Sequence, residues 1–138
     1  MKIMKIAVCL DDKNGMLFCG RRQSEDRYLR QQLLQLAQPN RLWMNGYSAK
    51  QFDPQDAICV AEDFLEAAPQ DQWCFVENVD VAAYKDRIQW IAIYRWNRHY
   101  PSDMKFPIEE FSGSWHLVSS RTFPGHSHDV ITEEIYQL

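Results

Sequence analysis

Hydrophobic and polar positions fall in short blocks along the chain, each bounded by residues that favour turns. Lys5 to Leu10 (KIAVCL) is an apolar run that ends in Asp11, Asp12, Lys13, Asn14 and Gly15. This predicts a buried strand followed by an irregular loop to about Gln23. Ser24 suits a helix cap, with Glu25 and Asp26 in the first turn, where the helix dipole favours negative charge. Tyr28, Leu29, Leu33, Leu36 and Ala37 follow at helical spacing, so a helix is predicted to about Ala37, stopping before Pro39.

The same reading continues through the middle of the chain. RLWMN (41 to 45) predicts a strand broken by Gly46, with a short helix from Ser48 to Phe52. AICVA (57 to 61) predicts a strand, Glu62 to Ala68 a short helix closed by Pro69, and CFVENV (74 to 79) another strand. Val81 to Arg87 has room for one or two helical turns. The longest apolar run, IQWIAIYRW from Ile88 to Trp96, is too rich in β-branched and aromatic residues for a helix and predicts a central strand. SWHLVSSRTF (114 to 123) and VITEEIYQL (130 to 138) predict a terminal strand pair joined by PGHSHD.

Strands alternating with helices imply a largely parallel sheet covered by helices. The expected fold is α/β, a three-layer sandwich around a mostly parallel sheet with an antiparallel C-terminal hairpin. At 138 residues the chain fits one domain, 1–138, with a real core. Its 46% apolar content argues against disorder.

Charge narrows the classes of partner. A net charge of −4 gives no overall electrostatic footprint for nucleic acid, which is therefore not an expected partner. No run approaches the roughly 18 apolar residues of a membrane span, and MKIMKIAVCLDD reaches acidic residues too soon for a secretory signal. A cytoplasmic location is expected, with no membrane partner. Cys9, Cys19, Cys59 and Cys74 form no CxxC pair and are expected as free, mostly buried thiols.

Two clusters carry candidate chemistry. RRQSEDR places Arg21 and Arg22 in the loop and Arg27 and Arg30 on the helix, where guanidinium groups and free N–H groups could converge on an anion. Pairing with Asp11, Asp12, Glu25 and Asp26 is the alternative. Trp43, Tyr47, Tyr94 and Trp96 could line a pocket for a flat ligand, or fill the core as strand aromatics do. The second cluster, FPGHSHDV (123 to 130), holds His126, His128 and Asp129 within four positions. Zinc hydrolases use such ligands with an open position for an activated water. The HSHD segment superficially resembles ribonuclease Z, but Val130 follows Asp129 where that motif continues into an Asp-His pair. No His or Cys follows. The expected state is therefore a solvated hairpin loop without a metal, with zinc at His126, His128 and Asp129 as the alternative.

Set in order, the segments resemble dihydrofolate reductase of the small bacterial type, in a degenerate form. The opening strand, the loop DDKNGMLF and the helix near Asp26 are similar to that family's first strand, active-site loop and first helix. RLWMNGYSAKQF resembles its second strand and short helix. WCFVENVDVAAY resembles the strand that ends in a Gly-Gly pair, and IQWIAIYRWNRHYPSDMKFP the long strand with its acidic loop. The last two segments resemble the final hairpin, which would put HSHD at a tip away from the active site.

The resemblance also implies what has changed. Glu77 and Asn78 stand where the family's glycines approach the cofactor pyrophosphate, and a carboxylate there repels phosphate. Gly46-Tyr47 replaces Gly-Arg, and about one strand is missing after Phe52. NADPH is therefore not an expected cofactor. Asp26 falls where the family keeps its pterin-binding carboxylate, and would be the residue for proton transfer. The expected function is binding of an anionic small molecule or a protein partner near the first loop and helix, through Arg21, Arg22, Arg27, Arg30, Trp43 and Tyr47. The alternatives are a metal-dependent hydrolase or ribonuclease using HSHD, and an active reductase with an atypical cofactor site.

Overall fold

The computed structural model describes residues 2–111 and 115–138. Thirteen elements and two single 3₁₀ turns follow in chain order. They are β1 (Met4–Leu10), β2 (Gly15–Phe18), β3 (Arg21–Arg22), α1 (Arg27–Ala37), β4 (Leu42–Met44), α2 (Gly46–Ala49), β5 (Ile58–Val60), α3 (Phe64–Ala67), β6 (Trp73–Phe75), β7 (Ile88–Arg95), β8 (Met104–Lys105), β9 (His116–Phe123) and β10 (Ile131–Gln137).

The main sheet has seven strands in the order β5-β4-β6-β1-β7-β10-β9. The first five are parallel. β10 runs antiparallel to β7, pairing Ile135 with Ala92, and β9 antiparallel to β10, pairing Glu134 with Ser120. β1 lies between β6 and β7, with Ala7 opposite both Phe75 and Ala92. Central strands of a parallel sheet are buried on both faces, which is why KIAVCL and IQWIAIYRW read as nearly continuous apolar runs.

Side chains alternating along β1 feed two cores. Ile6, Val8 and Leu10 join Phe64 and Leu65 from α3, together with Met16 and Leu17 of β2, on one face. Ala7 faces the other core, where α1 contributes Leu29, Leu33 and Ala37 against Phe75, Ala92, Tyr94 and Phe123. Helices on both faces make the three-layer α/β arrangement that the sequence predicts.

Local differences have physical causes. The stretch read as an irregular loop to Gln23 contains a second, antiparallel sheet, β3-β2-β8, completed by Met104–Lys105 from the other half of the chain. Two- and four-residue strands leave no periodic signature. The short helix predicted from Ser48 to Phe52 starts earlier, at Gly46, because Asn45 caps it by accepting from Ser48 N at 3.1 Å. The strand predicted at 74 to 79 ends at Phe75, and the helical turns expected within Val81 to Arg87 reduce to a 3₁₀ turn at Ala82–Tyr84. Ser114, the first residue of the predicted strand 114 to 123, lies outside the described residues. All four cysteines are free; Cys74 is buried, Cys9 and Cys59 are half-buried, and Cys19 is exposed. Among the described residues no helix is long and apolar enough to cross a membrane.

Candidate functional site

The start of α1 gathers more buried polar groups than any neighbouring stretch suggests. Asp26, not Ser24, is its N-cap, with extended backbone at φ −154° and ψ 132°. Its Oδ1 accepts from the backbone N–H of Tyr28 at 2.9 Å and Leu29 at 3.2 Å, two donors that a helix leaves unpaired. The same carboxylate accepts from the backbone N–H of His126 at 3.0 Å and Ser127 at 2.9 Å, and from the Ser127 hydroxyl at 3.2 Å. His128 adds its ring, with Nδ1 at 2.9 Å from Oδ2. Burial by itself would raise the Asp26 pKa. The His126 N–H, the His128 ring, and the Ser127 and Leu29 N–H groups outweigh it and hold the carboxyl well below the usual range.

The segment expected at a hairpin tip away from the site is therefore packed onto Asp26. His128 is buried, and its ring stacks on Trp96 with centroids 4.6 Å apart and planes 27° apart. Its Nε2 lies 3.0 Å from Ser24 Oγ and 3.2 Å from the Tyr100 hydroxyl. His126 packs edge-on against Tyr28, while Asp129 is exposed. His126, His128 and Asp129 do not converge, and among the described residues no group of three or more His, Cys, Asp or Glu is arranged to hold a metal ion.

At the carboxyl ends of the parallel strands, where open α/β sheets commonly bind ligands, a second polar cluster fills the crevice. Glu77, just past β6, is buried and accepts from Ser48 Oγ at 2.8 Å and Gln51 Nε2 at 3.0 Å. Arg22 reaches across from β3, with Nε 2.9 Å from Glu77 Oε2 and Nη2 3.2 Å from Oε1. Tyr47 supports it: the Arg22 guanidinium carbon sits 4.4 Å from the ring centroid, and the Arg22 N–H donates to the Tyr47 hydroxyl at 2.7 Å. About 10 Å³ of free space remains between Cys9, Met16, Ser24, Val76, Glu77 and Trp96. That is room for a single water.

The arginines of RRQSEDR do not meet at one point. Arg27 and Arg30 line a groove of about 520 Å³ between α1 and the loop after α2, with Leu34, Phe52, Asp53 and Asp56. Arg21 lines a different groove of about 500 Å³ with Phe18, Cys19, Gln23, Tyr100 and Pro101, and Arg22 forms part of its wall. Trp43 is in neither. It is half-buried on the opposite core and donates its indole N–H to Gln72 at 2.8 Å. Tyr94 and Trp96 are core residues, and the Tyr94 hydroxyl donates to Glu133 at 2.7 Å.

Sequence reasoning missed several members of these clusters. Asp11 is fully buried and accepts from the N–H groups of Lys13, Gly15 and Tyr100, which ties the first loop to the segment after β7. The available signal was Asp-Asp-Lys-Asn-Gly from Asp11 to Gly15, a run of side-chain turn formers. Ser24 reads locally only as a helix cap, and Tyr100 carries no local signal, because their shared partner His128 lies far along the chain.

No protein-family model matches the chain, and no curated protein matches it in sequence. Among solved structures, the dihydrofolate reductase of Enterococcus faecalis, determined with NADP(H) and RAB-propyl, superposes with a TM-score of 0.65. The match spans 98% of this chain and 95% of that chain at 10% sequence identity. The sheet order, the two cores and this superposition together establish a dihydrofolate-reductase-like fold.

Proposed function

We propose that this chain uses the dihydrofolate-reductase-like scaffold without NADPH-dependent reduction, and binds a small anionic molecule beside the first turn of α1. The observation that carries the reading is the pair Arg27 and Arg30. They stand one turn apart, have no ion-pair partner among the described residues, and open onto a groove that also offers Leu34 and Phe52. Two guanidinium groups beside an apolar wall suit a carboxylate or phosphate attached to a hydrocarbon or aromatic body. Asp53 and Asp56 on the opposite wall favour a ligand with hydrogen-bond donors at its other end.

Loss of the cofactor is supported by the Arg22–Glu77 pair. Glu77 is a buried carboxylate at the position where the resemblance puts pyrophosphate-binding glycines, and a carboxylate there opposes a phosphate. Asp26 already accepts from six groups, which favours a positioning role over proton exchange with a ligand.

Thermal denaturation against phosphate, nucleotides, dihydrofolate and NADPH tests the proposal. A ligand at about 100 times its Kd adds roughly 2.7 kcal/mol of stability. An anion whose shift is lost in Arg27→Ala and Arg30→Ala supports the reading. A shift with NADPH overturns loss of the cofactor, and no shift with any of these favours a protein partner.

A further inference from the structure

From the geometry around His128 we infer that Ser24 is a nucleophile of acyl transfer, activated by His128 and Asp26, and that the chain hydrolyses small esters bearing a negative charge. The inference goes beyond anion binding and does not depend on it.

Three observations support this. Asp26 accepts at His128 Nδ1 over 2.9 Å, and an ionised carboxylate can only accept. The Nδ1 therefore carries the proton, which leaves the lone pair of a neutral ring on Nε2. That nitrogen faces Ser24 Oγ at 3.0 Å. The base is thus oriented by a third group and lies within hydrogen-bond reach of a hydroxyl, the relation on which an activated serine depends. Second, the ring is fixed from its face by Trp96, so Nε2 is aimed before any ligand arrives. Its other nitrogen meets two hydroxyls, those of Ser24 and Tyr100.

Third, Ser24 borders the 10 Å³ space beside Glu77 and Trp96, and a larger groove begins at its neighbour Gln23. Tyr100, whose hydroxyl shares His128 Nε2 at 3.2 Å, and Gln23, the neighbour of Ser24, both line the 500 Å³ groove that holds Arg21. Gln23 Oε1 is buried without a partner. Arg21 supplies the preference for an anionic substrate, and Tyr100, whose hydroxyl donates to the same Nε2, holds the ring beside that groove.

The step balances with water alone. Ser24 Oγ adds to the acyl carbon while its proton passes to His128 Nε2. The bond from the acyl carbon to the alcohol oxygen breaks, and that oxygen takes the proton from Nε2. Water then adds to the acyl-serine through the same base, releasing the acid and restoring the Ser24 hydroxyl.

The test is reaction of the full chain with a fluorophosphonate, with the modified residue located by mass spectrometry, alongside hydrolysis of p-nitrophenyl acetate. Expected are one phosphonyl group per chain on Ser24 and loss of both signals in Ser24→Ala, which removes one hydroxyl and should fold. His128→Gln should slow both by at least a hundredfold. No modification of the folded protein, or modification elsewhere, overturns the inference, as does an unchanged rate in folded His128→Gln. If His128→Gln does not fold, comparison of wild type with Ser24→Ala decides.

Discussion

His128 Nδ1 and Asp26 Oδ2 lie 2.9 Å apart although 102 positions separate the two residues. The contact joins the loop between β9 and β10 to the first turn of α1, and so ties the antiparallel edge of the sheet to the helix over its centre. Removing the carboxylate orphans several buried donors at once. Asp26→Asn should cost roughly 3–5 kcal/mol, the range for breaking a buried polar pair from one side. Urea denaturation monitored by tryptophan fluorescence measures it.

The same carboxylate sets the response to acid. Its folded pKa lies below the unfolded value of about 3.9. The stability it contributes is therefore fully present above the unfolded pKa and is lost as pH falls toward the folded one. Asp11, held low by the N–H groups of Gly15, Tyr100 and Lys13 despite its burial, acts in the same direction. Denaturation midpoints should fall steeply below about pH 4 in the wild type and less steeply in Asp26→Asn. Equal slopes would count against the assignment.

Gly125 tests how closely the loop seats. A Cβ there would meet Asp26 Oδ2 at 2.8 Å, the His128 carbonyl oxygen at 2.8 Å and His128 Cβ at 3.0 Å. Gly125→Ala should therefore destabilise by about 1–3 kcal/mol through overpacking. Gly20→Ala provides a contrast, since nothing lies within 4 Å of its Cβ and only its φ of +72° opposes the change. Paired urea titrations compare the two.

Arg22 and Glu77 should be coupled. Either single change to Ala leaves the other charge in the crevice with fewer partners, so the double variant should lose less stability than the two singles added together. A coupling of about 1–3 kcal/mol is expected from a double-mutant cycle. Additive losses would mean that Ser48 and Gln51 satisfy Glu77 without Arg22.

The thiols should separate by reactivity. Burial pushes Cys74 up to about 12 and raises Cys9 well above its ordinary value, whereas Cys19 is exposed on the β2–β3 turn. Brief alkylation at pH 8 followed by peptide mass spectrometry should find Cys19 modified first and Cys74 only after denaturant is added.

Much of the fold could be read from individual runs. Ile88 to Trp96 has the length and β-branching of a central strand, and β7 occupies nearly that span. The helical spacing from Leu29 to Ala37 likewise marks the buried face of α1. The start of α1 was less legible because Ser24 and Asp26 are both capping residue types. Asp26 prevails by also receiving donors from residues 126–128, a hundred positions away. The site was hidden for the same reason. Arg22 read as part of an arginine cluster and Glu77 as a replacement for glycine, with nothing to pair the two, and HSHD invited a search for metal ligands within its own four residues. His128 instead finds its partners on α1 and near Tyr100. Pairings of this kind belong to the topology and leave no trace in either segment alone.

The central position of β1 has a consequence for the order in which the protein can be made. β1 is made before β6 and β7, the strands that flank it, and β10 must then seal the open side of β7. β1 gains both neighbours only once β7 is made, so pairing spans most of the sequence, a connectivity that slows folding. A chain stopped before residue 131 would leave β7, which lies in the longest apolar run, as a bare edge open to another polypeptide. β10 is thus also the strand that shields β7 from association.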